Sequence, residues 1–223
     1  MKKILISASL PALLLAFDVN ATVILSPTAI SQNTLGDRSP GVDIGNVIDQ
    51  SGLSSAFTSG VTDFDAYLGG NPTHSFVAQD NEWFAPDGEF LGNIDFDLGA
   101  VYDVDRVAIW NEDATGVSRF ELITSLDSAF AASTSFGFFS LTNNPRDADY
   151  LADVISLGAV SSARYVRMNL VGFYPDEQNV ADQASLGEVA FSVAAANDVP
   201  EPASLVLGGL GLLAAGSIRR RRG

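Results

Sequence analysis

Apolar and polar residues alternate one by one in several short runs, and this period of two is the feature that most restricts the fold. Side chains of an extended strand point alternately to opposite faces, so each run predicts a strand with one buried face. Stretches rich in Gly, Asn and Pro separate the runs and favour turns. The runs are residues 94–98, 107–110, 120–123, 165–170 and 189–193. Without a long amphipathic helix pattern, the sequence predicts an all-β sandwich or jelly roll.

The N-terminus has the organisation of a secretory signal. Two lysines precede an apolar stretch over residues 4–17, and residues 19–21 form a V-x-A cleavage site. The apolar stretch is too short to span a bilayer comfortably, which argues against an uncleaved anchor. The sequence therefore predicts a signal peptide over residues 1–21, removed by signal peptidase to leave Thr22 as the first residue.

The C-terminus carries a second apolar segment, residues 203–218, followed by the four arginines of positions 219–222. A helix of this length rises roughly 24 Å, and snorkelling arginines can close the remaining gap across a ~30 Å hydrocarbon core. Arginines favour the cytoplasmic side, so everything before residue 203 is predicted to lie across the membrane. The signal peptide predicts the same topology independently.

A proline-rich motif stands directly before this apolar segment, and a small polar linker over residues 194–198 precedes the motif. The motif consists of Val199, Pro200, Glu201 and Pro202. Its prolines cannot continue a helix and are expected to hold the chain extended. The motif, the short apolar span and the cluster Arg219, Arg220, Arg221 and Arg222 resemble the PEP-CTERM sorting signal over residues 199–223. The resemblance implies an exosortase as processing partner. It also implies a transient inner-membrane anchor and final delivery to the cell surface or extracellular matrix.

Charge and cysteine content exclude several classes of function. The chain has 27 acidic and 12 basic residues, a net charge of -15, and no cysteine. Such an acidic protein repels nucleic acid and favours divalent cations, so nucleic-acid binding is excluded. Disulfides, thiolate metal sites and cysteine nucleophiles are excluded as well. The remaining residues, 22–193, suffice for one domain with a sizeable core.

The order of motifs in this domain resembles the discoidin, or coagulation factor 5/8 type C, domain of the galactose-binding-like β-sandwich group. The matching stretches are residues 46–53, 57–60, 81–83, 94–99, 104–110, 120–127, 163–167 and 185–191. Together they extend from about residue 40 to residue 193. The resemblance implies a galactose-binding-like jelly-roll sandwich, and it implies carbohydrate binding as the commonest function.

The same resemblance implies one structural Ca²⁺ between the loop after the first strand and the start of the last strand. Carbonyl, hydroxyl and carboxylate oxygens are the ligands that calcium prefers. Carried over to this chain, the ligands are Asn46, Asp49, Ser51, Ser59 (or Thr58), Gly187 and Glu188. This chain has Gln50 where the family commonly has glycine after the aspartate, so the tight turn is expected to be altered. The alternative is that Asp49 and Glu188 only cap turns.

Sugars stack on exposed aromatic rings flanked by polar groups, which gives candidate ligand-binding residues. The candidates are His74, Trp83, Phe84, Arg146 and Tyr174. The alternative for Trp83 is a place in the core, since the family usually has a core tryptophan there. His74, the only histidine, has the alternative of an ordinary surface loop residue.

Catalysis has little support in the sequence. A single histidine and no cysteine exclude Cys-His catalysis and multi-histidine metal centres, and no Gly-x-Ser-x-Gly elbow is present. Close acidic pairs such as Asp95 and Asp97 are typical of solvated or metal-binding strands more than of glycosidases. The sequence therefore predicts an exported, non-catalytic binding or adhesion protein, with carbohydrate or exopolysaccharide as partner. A structural matrix or biofilm protein without a sugar pocket is the alternative, and a secreted hydrolase is a weaker one.

Overall fold

The structure, a computed structural model, describes residues 22–76, 80–175 and 182–194, and almost all of its regular elements are strands. Within these ranges the strands are β1 (Thr22–Leu25), β2 (Ala29–Asn33), β3 (Thr73–His74), β4 (Trp83–Phe84), β5 (Gly92–Trp110), β6 (Val117–Ser125), β7 (Ser133–Ser140), β8 (Tyr150–Phe173), β9 (Ser185–Leu186) and β10 (Glu188–Ala194). A 3-10 helix (Ile44–Ile48) and one α-helix, α1 (Phe64–Gly69), complete the described elements. All five alternating runs lie in strands, as predicted.

Two long antiparallel strands, β5 and β8, organise the sheet. They pair from Gly92 with Leu170 to Trp110 with Ala152. The main path runs β1-β10-β5-β8-β6-β7, with β2 added to β5 and β3 added to β8, while β4 and β9 form a separate pair. β2 lies beside the first half of β5 and β10 beside its second half. The sequence prediction had separate strands at residues 94–98 and 107–110, and these are two halves of one strand.

A corner in β5 separates its two halves. Asp97 pairs with Tyr165 of β8, and Tyr102 pairs with Ala163. β5 therefore contains more residues than β8 between these two pairs. Gly99 lies in this extra segment with φ +85°, a conformation that glycine adopts without the steric cost of a Cβ. The Asp97 carboxylate accepts a hydrogen bond from the Gly99 N–H at 2.8 Å and fixes the bend.

The main core lies between the two halves of the folded sheet. Phe96 and Leu98 from the first half of β5 share it with Val107 and Ile109 from the second half. Because the described helices are only five and six residues long, the two walls of the sheet cover each other. Burying each large apolar side chain contributes roughly 1.5–3 kcal/mol relative to exposure. The all-β sandwich prediction is confirmed.

A second, smaller cluster lies on the opposite face of the second half of β5. Trp110 is fully buried there with Phe64 of α1 and Tyr150 at the start of β8. The Trp110 Nε1 donates to the Pro72 carbonyl at 3.0 Å, so the buried indole N–H is satisfied.

The predicted signal peptide, linker and sorting tail lie outside the described residues, apart from Ala194 at the end of β10. The apolar segment 203–218 is therefore not described. Within the described ranges, no helix combines the length and hydropathy that crossing a bilayer requires.

Candidate functional site at one end of the sandwich

Two loops at the end of the sandwich are joined by side-chain hydrogen bonds. One loop follows β5 and the other, residues 141–149, joins β7 to β8. Asn111 donates through Nδ2 to the Thr142 carbonyl at 2.8 Å, and Asn144 donates through Nδ2 to the Asn111 carbonyl at 2.6 Å. Tyr174, just after β8, donates through its hydroxyl to the Leu141 carbonyl at 2.8 Å. The polar side chains of these loops therefore have fixed positions.

Three carboxyl groups come together beneath these loops. Glu82, Glu112 and Asp113 are buried, and each offers an oxygen that lies within 4.8 Å of those of the other two. Glu82 immediately precedes β4, whereas Glu112 and Asp113 follow the end of β5, so the sheet brings together residues distant in sequence. This buried acidic group has the ligand types to hold a metal ion.

Specific donors hold each member of the acidic group. Glu112 Oε2 accepts from the N–H groups of Ala114 (2.8 Å) and Thr115 (2.6 Å) and from the Ser185 hydroxyl (2.7 Å). Asp113 Oδ2 accepts from the Asp147 N–H. The three donors on one oxygen of Glu112 orient that carboxylate, and Asp147 ties Asp113 to the 141–149 loop.

Burial and mutual repulsion favour the neutral forms of these carboxyls. Burial, with the neighbouring charge of Glu112, raises the pKa of Glu82 to about 9. Burial likewise raises the pKa of Glu112 and of Asp113, against the opposing effect of their backbone hydrogen bonds. A group with these properties holds either protons or a cation, since three adjacent buried carboxylates repel one another.

His74 and Tyr150 extend this buried polar network. Their rings stack with centroids 5.2 Å apart, and the Tyr150 hydroxyl donates to Glu82 Oε1. His74 Nδ1 lies 2.8 Å from the Ser75 carbonyl, which can only accept, so Nδ1 carries the proton. Burial lowers the pKa of His74 and keeps the imidazole neutral.

The position of His74 corrects both sequence hypotheses for it. It is neither an exposed sugar ligand nor a surface loop residue, because its side chain is fully buried. Gly52 and Gly187 leave the space that the ring occupies, since a Cβ at either glycine would come within 3.1 Å or less of ring atoms. The sequence lacked a signal for this burial because β3, which carries His74, has only two residues.

The other four residues predicted to bind a sugar divide into two groups. Trp83 and Phe84 are buried in β4, and Trp83 Nε1 donates to the Gly36 carbonyl at 3.1 Å. Their rings therefore do not offer a face to solvent, and the core alternative describes Trp83. Arg146 and Tyr174, by contrast, are partly exposed at the loop end described above.

The predicted calcium ligands are brought together in part. Glu188 is fully buried, and its Oε2 accepts from the Gln50 N–H at 2.8 Å, next to Asp49. Burial, with the added charge of Asp49, raises the pKa of Glu188 well above its ordinary value. Asp49 Oδ1 accepts from the Ser51 N–H at 2.8 Å. Gln50, which stands where the family commonly has glycine, takes φ +65°, a left-handed conformation that glycine adopts more readily.

The other predicted calcium ligands have different contacts. The Asn46 side chain donates to the Glu82 carbonyl at 2.9 Å, and Ser59 Oγ accepts from the Ser26 N–H at 3.0 Å. The Ser59 hydroxyl therefore joins the loop to the segment after β1. Gly187 donates its N–H to the Trp110 carbonyl at 2.9 Å.

A shallow cavity of about 200 Å³ lies elsewhere on the described surface. It is lined by Leu68, Asn71, Pro72, Leu151, Ala152 and Val154. Its lining is mostly apolar and contains neither the acidic group nor the predicted calcium ligands.

Comparison with known proteins gives one sequence match and several structural ones. Residues 198–222 match the PEP-CTERM protein-sorting motif, which confirms the predicted sorting signal and marks the chain for export and sorting. No curated protein matches the sequence.

Several of the similar solved structures are carbohydrate-binding modules. The family 32 module of AlyQ, in complex with 4,5-unsaturated mannuronic acid, is 20% identical, with 76% of this chain and 97% of that chain covered and a TM-score of 0.46. The family 32 module of Clostridium perfringens NanJ, in complex with galactose, is 13% identical over 70% and 88% of the two chains, with a TM-score of 0.43. Chitosan-binding module 1 from Paenibacillus sp. IK-5 is 20% identical over 75% and 95%, with a TM-score of 0.45.

Proposed function

We propose that this protein is an exported, non-catalytic carbohydrate-binding protein that an exosortase delivers to the cell envelope or extracellular matrix. The sorting motif at residues 198–222 supports the delivery. The observation that carries the binding function is the position of Arg146 and Tyr174, partly exposed at one end of the sandwich beside Asn144.

The chemistry of these side chains suits a sugar ring. A guanidinium presents several N–H donors in a plane, a tyrosine ring offers an apolar face, and an amide both donates and accepts. The hydrogen bonds of Asn144 to Asn111 and of Tyr174 to Leu141 hold this end of the sandwich in place. A preorganised site loses less conformational freedom when a ligand binds, which favours affinity.

Burial of the acidic group supports a non-catalytic function. Glycoside hydrolysis uses two carboxyls that flank a bond of the substrate in an accessible cleft. Glu82, Glu112 and Asp113 are instead buried and held by protein donors. They are therefore better suited to holding the loops than to touching a substrate.

A structural calcium between Asp49 and Glu188 belongs to the same proposal. The residues fit such an ion because Glu188 Oε1 is buried without a hydrogen-bond partner among the described residues, and Asp49 lies near enough to raise the pKa of Glu188. The carbonyls of Asn46, Ser51 and Gly187 would supply further oxygens. An ion there would fasten the loop after the 3-10 helix to β10.

The binding function is tested with the purified full chain. The probes are galactose, mannuronate oligosaccharides and chitosan oligosaccharides, with binding measured by calorimetry and by polysaccharide pull-down. We expect Arg146→Ala and Tyr174→Ala to weaken binding at least 10-fold without loss of the folded circular dichroism signal. Arg38→Ala is the control, because Arg38 is an exposed arginine in the segment before the 3-10 helix, and it should bind like the wild type.

Three outcomes would contradict the proposal. Equal binding by all three variants would mean that the sugar does not bind at the end of the sandwich that carries Arg146 and Tyr174. Absence of binding to every probe and to the exopolysaccharide of the producing cell, together with calcium-dependent self-association, would favour the structural matrix protein. Turnover of an oligosaccharide would overturn the non-catalytic part.

A further inference from the structure

We propose that Glu82, Glu112 and Asp113 bind a divalent cation, at a second site distinct from the Asp49–Glu188 pair. The three side chains come from two separate segments, before β4 and after β5, and each offers an oxygen within 4.8 Å of the others. Carboxylates are preferred ligands of hard divalent cations. The proposal does not depend on the sugar-binding function.

An unsatisfied buried acceptor is the independent observation that points to a ligand. The Glu82 side chain is fully buried, and its Oε2 has no hydrogen-bond partner among the described residues. Its other oxygen, Oε1, accepts from the Tyr150 hydroxyl, which holds the carboxyl group in place. Buried acceptors are nearly always paired, so we expect Glu82 Oε2 to have a partner, either a cation or a donor, beyond the described residues.

A second buried oxygen lies on the segment that leads into β9. Gln183 is buried, and its Oε1 has no hydrogen-bond partner among the described residues. The backbone of Ala184 pairs with Ala85, which continues the extended pairing of β4 with β9. Side chains two apart on an extended segment share a face, so we expect the Gln183 side chain to leave on the same side as that of Ser185, whose hydroxyl donates to Glu112.

The charge balance of the group also favours a cation. Among the described residues, no lysine or arginine forms an ion pair with Glu82, Glu112 or Asp113. The neighbouring His74, 3.8 Å from Glu82, is held neutral by its burial. A divalent ion would therefore replace repulsion between the carboxylates with attraction.

The ligand type and the burial of the group favour calcium over magnesium. Magnesium dehydrates reluctantly and usually keeps several waters, whereas calcium takes about six to eight oxygens in an adaptable geometry. A buried group of three carboxyls from two segments therefore suits calcium better. The ion would join β4 to the loop after β5 and, through Asp113 and the Asp147 N–H, to the 141–149 loop.

Calcium binding to metal-stripped full chain tests the site. Calorimetry counts the sites, and thermal melting with and without CaCl₂ measures stabilisation, with MgCl₂ as a second ion. We expect the double variant Glu112→Gln/Asp113→Asn to lose one calcium site, or to bind at that site at least 10-fold more weakly. Glu188→Gln should keep this site, and Asp87→Asn, which changes an exposed carboxylate, should behave like the wild type.

The amide variants keep nearly the same shape and remove repulsion, so the metal-free double variant should melt no lower than the metal-free wild type. If that variant does not fold, Glu82→Gln takes its place with the same expectation. Three results would overturn the proposal: no calcium-dependent rise in Tm in the wild type, an equal rise in the double variant, or loss of all calcium binding in Glu188→Gln alone.

Discussion

Asp97 is the residue that secures the corner of β5, because its carboxylate has two separate partners. Oδ1 accepts from the Gly99 N–H, and the Arg164 guanidinium donates to both carboxylate oxygens at 3.0 and 3.1 Å. The guanidinium of Arg164 is the main cause that lowers the pKa of Asp97 below its ordinary value of 3.8. The corner therefore depends on an ionised carboxylate.

The first prediction follows from this pKa. A carboxyl with a lowered folded-state pKa stabilises the protein fully above its unfolded-state pKa, and the contribution is lost as the pH falls through the folded value. We therefore expect Asp97→Asn to melt below the wild type at pH 7, with a smaller difference at pH 2.5. Melting curves at both pH values check this, with Asp87→Asn as the control. An equal difference at both pH values would assign the effect to the hydrogen bond with Gly99 rather than to charge.

The sequence did not predict which of its polar side chains are buried. Glu82 and Glu112 have no local pattern that separates them from solvated acidic residues, and His74 reads as a loop residue. Their burial depends on strand pairings between segments far apart in the chain, such as Trp83 with Leu186. The proximity of Asp49 to Glu188 was predicted because it follows from a family pattern, and the N–H of Gln50, the residue after Asp49, donates to Glu188.

At the scale of elements, the alternating pattern predicted where strands lie but not where they end. The run at residues 94–98 was predicted as a separate strand, yet β5 continues through Gly99 to Trp110. A glycine with positive φ serves equally at a strand end and at a bend, and only the pairing partner distinguishes the two. The edge strand β7 was missed because its residues are mostly small or half-buried and give no clean alternation.

The corner supplies the element-scale prediction. At Gly99, φ is +85° and an added Cβ would lie 2.7 Å from Thr28 Cγ2. We expect Gly99→Ala to lower the free energy of unfolding by roughly 1–2 kcal/mol, the cost of a left-handed conformation for a residue with a side chain. Urea denaturation measures the change. Gly45→Ala is the matched control, because open space surrounds that position and its φ is not in the left-handed region. Equal effects at both glycines would mean that the bend carries no strain.

At the scale of the molecule, the two ends of the described domain lie side by side. β1 pairs with β10, and Thr22 is opposite Ala194 in that register. The predicted cleavage after Ala21 would leave β1 intact, since Thr22 is its first residue. The predicted sorting tail leaves the domain from the strand next to this new N-terminus. Both processing steps are therefore expected at one edge of the sandwich, without cutting a strand of the core.

The last prediction concerns delivery. The two prolines around Glu201 are predicted to prevent a helix and to keep this part of the chain accessible to a processing enzyme. We expect replacement of Pro200, Glu201 and Pro202 by alanine to stop tail processing, because alanine would allow the predicted helix of the apolar segment to extend through the motif. The uncleaved protein should accumulate in the inner-membrane fraction and disappear from the surface or matrix fraction. Immunoblots of cell fractions, with intact mass of the mature form, measure this.

Asn197→Ala, in the linker just before the motif, should be processed normally. Normal processing of the alanine-substituted motif would exclude recognition of the prolines and glutamate, whereas failure of Asn197→Ala as well would place recognition in the linker.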